Sequence, residues 1–139
     1  MKIKIAVFAI ITLTVSVYAS QETTRNVWDG VYTEAQAKAG QANYRESCSM
    51  CHGESLGGGE EAPELAGSNF MSNWNGLTVG DLSERIRISM PPQSPGSLSR
   101  QQTVEVIAFI LSANNFPVGK TELPQPTDQL KQIKITASK

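Results

Sequence analysis

Two thiols and an imidazole share one short stretch, Cys48-Ser49-Met50-Cys51-His52, and it constrains what the rest of the chain can be. Cysteines at this spacing with a histidine directly after the second are the attachment pattern for c-type haem. Two thioether bonds to a porphyrin edge need both sulfurs on one turn, which then carries His52 beneath the iron as a fifth ligand. The chain has 2 cysteines and 1 histidine, all within these residues. Bis-histidine ligation from within the chain is therefore impossible, as is a second haem of the same type.

Two cysteines three positions apart also serve other chemistry. Zinc wants four Cys, His or carboxylate ligands, and no second pair of cysteines or histidines exists. A thioredoxin-like dithiol belongs beside a βαβ pattern, which the flanking residues do not show. A small disulfide in an exported protein, with His52 beside it by accident, remains as the non-haem alternative.

At 139 residues and 40% apolar composition the chain suits one domain with one modest core, enlarged by a covalent cofactor. Met1-Lys2-Ile3-Lys4 supplies positive charge ahead of an apolar run from Ile5 to Val17. Val17-Tyr18-Ala19 then offers a cleavage site, so residues 1–19 are read as a secretory signal peptide. The alternative is an uncleaved anchor, although the run is shorter than the roughly 20 residues that span a bilayer. Export to the periplasm agrees with the motif, because c-type haem is attached outside the cytoplasm. Loss of Lys2 and Lys4 takes the formal charge from −1 to −3, which argues against a nucleic-acid partner. Glu54, Glu60, Glu61 and Glu64 follow the haem motif and could steer a basic partner or form only a solvated loop.

Residues 20–32 read as a polar leader whose Val27–Tyr32 part packs on the domain. Thr33 is the N-cap of a helix running to about Ser47, with Glu34 in its first turn. Gly40, Tyr44 and Cys48 share one face of it. A glycine inside a helix costs about 1 kcal/mol relative to alanine, so another helix is expected to cross there. Gly53 to Asn69 reads as loop around Gly57-Gly58-Gly59. Thr78 and Asp81 form a capping box for a helix over Val79–Ser89, with Val79, Leu82 and Ile86 as its apolar face. Pro91 forces its end. Ser99 and Gln102 open a last helix over Thr103–Leu111 that is apolar on most sides, ended by Asn114, Asn115 and Pro117. The tail, 118–139, carries Pro124 and Pro126 and a weakly strand-like end, and whether it wraps or frays is not decided by sequence. No region reads as a sheet. The fold class expected is all-α, three main helices and loops around one haem.

His52 leaves one axial position open. Met50 lies between the thioether cysteines and cannot reach the far face, and Met1 leaves with a cleaved leader. Met90 sits at a forced helix end and enters a proline-stiffened loop, so it is the candidate sixth ligand. Met71 and no methionine at all are the lesser alternatives, since methionine also fills core gaps. Thioether ligation favours ferrous iron and closes it to oxygen, peroxide or substrate. The expected function is thus one-electron transfer. The enzyme-class alternative is a haem peroxidase or small-ligand sensor with a displaceable Met90.

From about Thr33 to Pro117 the chain resembles the single-haem class I cytochromes c. Gly40 and Tyr44 look like the family's N-terminal helix, and Val106 and Phe109 like its partners on the last helix. Pro63-Glu64-Leu65-Ala66-Gly67 resembles the loop whose proline carbonyl accepts a hydrogen bond from the proximal histidine. That resemblance would make Pro63 the group that orients His52 and tunes its basicity. It also implies a propionate contact for Trp74. Met90-Pro91 with Pro95-Gly96-Ser97-Leu98-Ser99 is similar to cytochromes found with quinoprotein dehydrogenases, which implies such a donor and an oxidase or other acceptor as partners. The chain departs from the mitochondrial branch in having no lysine-rich face around the motif.

Overall fold

Three helices begin at side chains that the sequence sets directly ahead of them. A computed structural model describes residues 24–60 and 62–139; the signal-peptide reading of 1–19 lies outside the described residues, as does Glu61. Helix α1 (Glu34–Ser47) starts at Thr33, whose hydroxyl accepts from Gln36 N while the Gln36 amide answers Thr33 N. Helix α4 (Val79–Ser89) starts at Thr78 and Asp81, and α5 (Arg100–Ala113) at Ser99 and Gln102, through the same reciprocal pairing. Each box satisfies two backbone donors that a helix start would otherwise leave open. Pro91 ends α4, with Met90 as its C-cap in an extended conformation.

The core is set by the crossing of α1 and α5. Gly40 is buried there, and a Cβ on it would overlap the carbonyl of Glu105, so glycine lets the two backbones touch. Tyr44 and Phe109 meet just beyond, their ring centroids 5.2 Å apart. Val104, Val106, Ile107, Ala108, Ile110 and Leu111 are all buried along α5. At roughly 1.5–3 kcal/mol for each large apolar side chain taken from water, this helix is the main apolar contributor to the fold.

Two short helices and a strand pair complete the architecture. Helix α2 (Ser49–His52) is a single turn that continues α1 after a break at Cys48. Helix α3 (Gly67–Trp74) lies where the sequence reads as loop up to Asn69. Its polar Ser and Asn residues hide the signal, and the helix is held by Phe70, fully buried, and Trp74 stacked on it at 6.4 Å. The reading that no sheet forms also needs one correction. Strands β1 (Arg25–Asn26) and β2 (Ile133–Lys134) pair in parallel, Arg25 with Ile133 and Asn26 with Lys134. Two-residue strands are too short to show alternation.

The tail wraps the domain. Leu123, Leu130 (in α6, Thr127–Leu130), Ile133 and Ile135 are buried. The Gln36 amide, itself buried, holds the Leu123 backbone on both sides, accepting from its N–H at 2.8 Å and donating to its carbonyl at 3.1 Å. Ile135 does the same for the α3–α4 turn, its N–H bonding Leu77 O at 2.9 Å and its carbonyl Gly76 N at 2.8 Å.

The α4 cap gives a pH-dependent prediction. Asp81 Oδ2 accepts from the Thr78 hydroxyl at 2.7 Å and from Thr78 N at 2.9 Å. These bonds outweigh a small desolvation penalty and, with Lys131 nearby, hold the Asp81 carboxyl below its ordinary 3.8. A carboxyl lowered by folding contributes stability that is fully present above its unfolded pKa and lost as pH falls through the folded value. Asp81→Asn is expected to cost about 0.5–1 kcal/mol at neutral pH. The Tm gap to wild type should close as pH drops below 3.8. A gap that stays constant into acid would show that the carboxylate is not its source.

Candidate haem-attachment site

Helix α1 delivers the attachment motif as a rigid turn. Cys48 N donates to Tyr44 O at 2.8 Å, and the Cys48 carbonyl accepts from Cys51 N and His52 N at 3.2 and 3.0 Å. Both sulfurs and the imidazole are thus carried on one turn at the end of a packed helix. The Tyr44 hydroxyl donates to Gly53 O at 2.7 Å and ties the turn's exit to the core. Burial, with smaller contributions from Cys48 and Glu54, pushes the Tyr44 phenol up to about 12, so it stays a donor at any physiological pH.

No disulfide joins Cys48 to Cys51; Cys51 is exposed and Cys48 half-buried. Burial pushes the Cys48 thiol up to about 11. Redox dithiols work with thiol pKa values lowered below the ordinary range, the opposite direction to that of Cys48. Met50, between them, is 93% exposed and faces away from any interior ligand position.

The loop after the turn folds back over His52. Gly58 donates to His52 O at 2.8 Å and Gly59 to Ala62 O at 2.9 Å. Gly58 has φ +71, and a Cβ there would press on Ala62 O and Pro63 C, so the loop closes this tightly only with glycine. The closure sets Pro63 O 2.8 Å from His52 Nδ1. A carbonyl only accepts, so Nδ1 is the nitrogen that donates here, and Nε2 is the one left to face a ligand. His52 is 7% exposed. A buried imidazole with Nδ1–H donated to the main chain is the arrangement of a metal-ligating histidine. The donor set therefore fits a covalent haem: two thiols on one turn and one oriented imidazole.

The remaining predicted residues lie on other elements. Met90 caps α4, half-buried, with its N–H on Ile86 O at 2.9 Å. Trp74 ends α3 and is half-buried against the core, as are Met71, Leu65 and Leu98. The Trp28 indole N–H is taken by Thr136 O at 2.9 Å, whereas that of Trp74 has no partner among the described residues. The structure thus brings Cys48, Cys51, His52 and Pro63 together at the attachment turn and carries Met90 and Trp74 on α4 and α3. Glu54 and Glu60 are exposed beside it and Glu64 is half-buried. The Arg45–Glu54 pair, 3.7 Å apart with both side chains mostly in water, does little to neutralise them.

One contributor escapes sequence reasoning. The Asn114 side chain, at the end of α5, bonds Leu65 and Gly67 in the loop that carries Pro63. Its only local signal is a place at a helix end, which says nothing of partners so far away in sequence.

A family model described as "Cytochrome C oxidase, cbb3-type, subunit III" matches residues 35–110. Among solved structures, the sulfane dehydrogenase SoxCD from Paracoccus pantotrophus is similar to this chain, with a TM-score of 0.51 and 20% sequence identity. The likeness covers 90% of this chain and 68% of that one, and at such identity it concerns the fold. No curated protein sequence matches.

Proposed function

We propose, for a chain that belongs to the family described as cytochrome c oxidase, cbb3-type, subunit III, an exported one-electron carrier with His52 and Met90 as the axial ligands of one haem c. Membership makes the chain an electron-transfer cytochrome with covalently bound haem c, and Cys48 and Cys51 stand at the attachment spacing. The observation that supports His52 as the iron ligand is its 2.8 Å contact from Nδ1 to Pro63 O on the attachment turn, which leaves Nε2 to meet the iron. When bound, haem iron supplies a ferric/ferrous couple that takes up and releases one electron.

The chain's own residues set how that couple is held. Cys48 and Cys51 fix the porphyrin to the end of α1. The Pro63 carbonyl draws on the His52 N–H and makes Nε2 a stronger donor. The Met90 thioether, if it held the iron opposite His52, would favour the ferrous state and leave no coordination position for oxygen, peroxide or substrate. Trp74, whose indole N–H has no partner among the described residues, is proposed as donor to a haem propionate. A carrier needs nothing further, since it moves electrons without binding a substrate to iron.

The redox partners proposed are a dehydrogenase as donor and an oxidase or other acceptor. The family name is that of an oxidase subunit, the structural neighbour is a dehydrogenase, and the Met90–Ser99 loop resembles cytochromes found with quinoprotein dehydrogenases. Glu54, Glu60 and Glu64 beside the attachment turn suit a basic docking face. Periplasmic export is supported by the reading of residues 1–19 and by the site of c-type haem attachment. Among the described residues no helix is long and apolar enough to cross a membrane.

The test is a spectrum of the protein produced with haem-attachment machinery. Both redox states are expected to be low-spin and six-coordinate, with a sulfur-to-iron band in the oxidised form. The intact mass is expected to include one haem and no free thiol. A high-spin, five-coordinate oxidised form would overturn the carrier reading in favour of an open, ligand-binding iron.

A further inference from the structure

The loop that bears Pro63 is short of anchors of its own. Leu65 N donates to Leu56 O at 2.8 Å, but the Leu65 carbonyl and Gly67 N have no partner among the loop's described residues. Gly67 opens α3, and the first N–H groups of a helix have no intrahelical acceptor. The residue ahead of it, Ala66, supplies no side-chain cap.

Asn114 meets both needs from across the fold. Its Oδ1 accepts from Gly67 N at 2.9 Å, and its Nδ2 donates to Leu65 O at 2.9 Å and to Ile110 O at 2.8 Å. Two of the three partners only accept and one only donates, so the amide can face only one way. Both amide hydrogens and the oxygen are used, a set that a carboxylate, hydroxyl or aliphatic side chain of this size cannot supply. The residue stands at the C-cap of α5, the helix fixed by its contact with Gly40, and its own N–H is tied to Ile110 O at 3.1 Å. A rigid helix end therefore grips Leu65, and only Glu64 separates Leu65 from Pro63.

We propose that Asn114 is a positioning residue for the iron-ligating histidine: by clamping Leu65 and Gly67 to the end of α5 it holds the Pro63 carbonyl on His52 Nδ1 and so tunes the reduction potential. The proposal rests on His52 being the iron ligand. Its physical content is that loosening this loop weakens a hydrogen bond that raises imidazole basicity. A less basic ligand stabilises ferric iron less, and the potential rises.

The experiment compares wild type, Asn114→Leu and Gln36→Ala as holoproteins. Leucine has the shape of asparagine without its polar atoms. Gln36 is 4% exposed and clamps Leu123 in the tail, so its loss supplies a comparable structural defect away from the loop. Midpoint potential, thermal stability and exchange of the His52 Nδ1 proton in the reduced protein are read for each. Asn114→Leu is expected to raise the potential and to speed ring N–H exchange over wild type, because the bond that protects the proton and raises ring basicity is loosened. Gln36→Ala should lower Tm and leave the other two readings in place. Asn114→Ser adds no bulk and gives a second measurement of the same quantities should the leucine variant fail to take up haem. The proposal is overturned if Asn114 variants move only Tm, as Gln36→Ala does. Wild-type His52 ring protons without the large shift expected directly over a porphyrin would instead overturn the ligand assignment beneath it.

Discussion

Gly40→Val is expected to destabilise the protein by about 3 kcal/mol or more, a Tm loss on the order of 10 °C for a domain of this size. The sign is not obvious from the helix alone, because replacing an interior glycine gains up to about 1 kcal/mol of helix propensity. What decides it is the identity of the atoms in the way. A Cβ at Gly40 would lie on the carbonyl carbon and oxygen of Glu105, which are backbone and cannot rotate aside. The helices must separate instead, and the Tyr44–Phe109 contact and buried Val106 lie in the interface that opens. Because α1 also carries the attachment turn, haem incorporation should fall with stability. Ala42→Val, at an exposed position of the same helix, controls for propensity. If both variants melted together, the close crossing would not be the reason for the glycine.

That crossing was legible because it left a mark at one position: a costly glycine inside an otherwise good helix. The starts of α1, α4 and α5 were legible for a similar reason, since a capping box is a local pattern and each lies within four residues. Helix α3 was not. It opens at Gly67 with no side-chain cap, and its Ser and Asn residues prefer turns. What sustains it is tertiary: Phe70 in the core and Asn114 reaching in from α5. The wrap of the tail was hidden likewise, because Leu123, Leu130, Ile133 and Ile135 follow no single period and find partners in the leader, α1 and the α3–α4 turn.

The attachment motif announces itself because thioether chemistry demands adjacent sulfurs, so Cys48, Cys51 and His52 could be singled out from spacing alone. Pro63 entered only through a resemblance to a known loop. Its distance of 2.8 Å from His52 depends on Gly58 accepting a positive φ and on the loop returning across the turn. Asn114 could not have been found, since its partners lie 47 and 49 residues away. Residues that speak to iron chemistry directly are constrained by element type and spacing. Those that act through another residue are constrained only by where the chain happens to fold.

Met90→Ala is expected to abolish the sulfur-to-iron band, convert the oxidised iron to a high-spin or water-ligated form and admit carbon monoxide or imidazole without delay. The potential should fall by on the order of 0.1–0.2 V, part of the roughly 0.8 V range that axial ligation spans, because loss of the thioether removes a ligand that favours ferrous iron. The argument is one of available donors. The only histidine lies on the attachment turn, and Met50 beside it is 93% exposed. Met71, half-buried on α3, is the other internal thioether. Met90 differs from it in being held at a forced helix stop: its N–H remains on Ile86 O at 2.9 Å while Pro91 prevents the next turn, so the side chain leaves the helix end from a fixed point. Met71→Ala should therefore keep the band and the potential and lose only packing energy, about 1–2 kcal/mol for a partly buried side chain. The opposite pattern, with the band surviving in Met90→Ala and vanishing in Met71→Ala, would move the sixth ligand to α3 and make the Pro91–Leu98 loop a surface feature rather than part of the iron clamp.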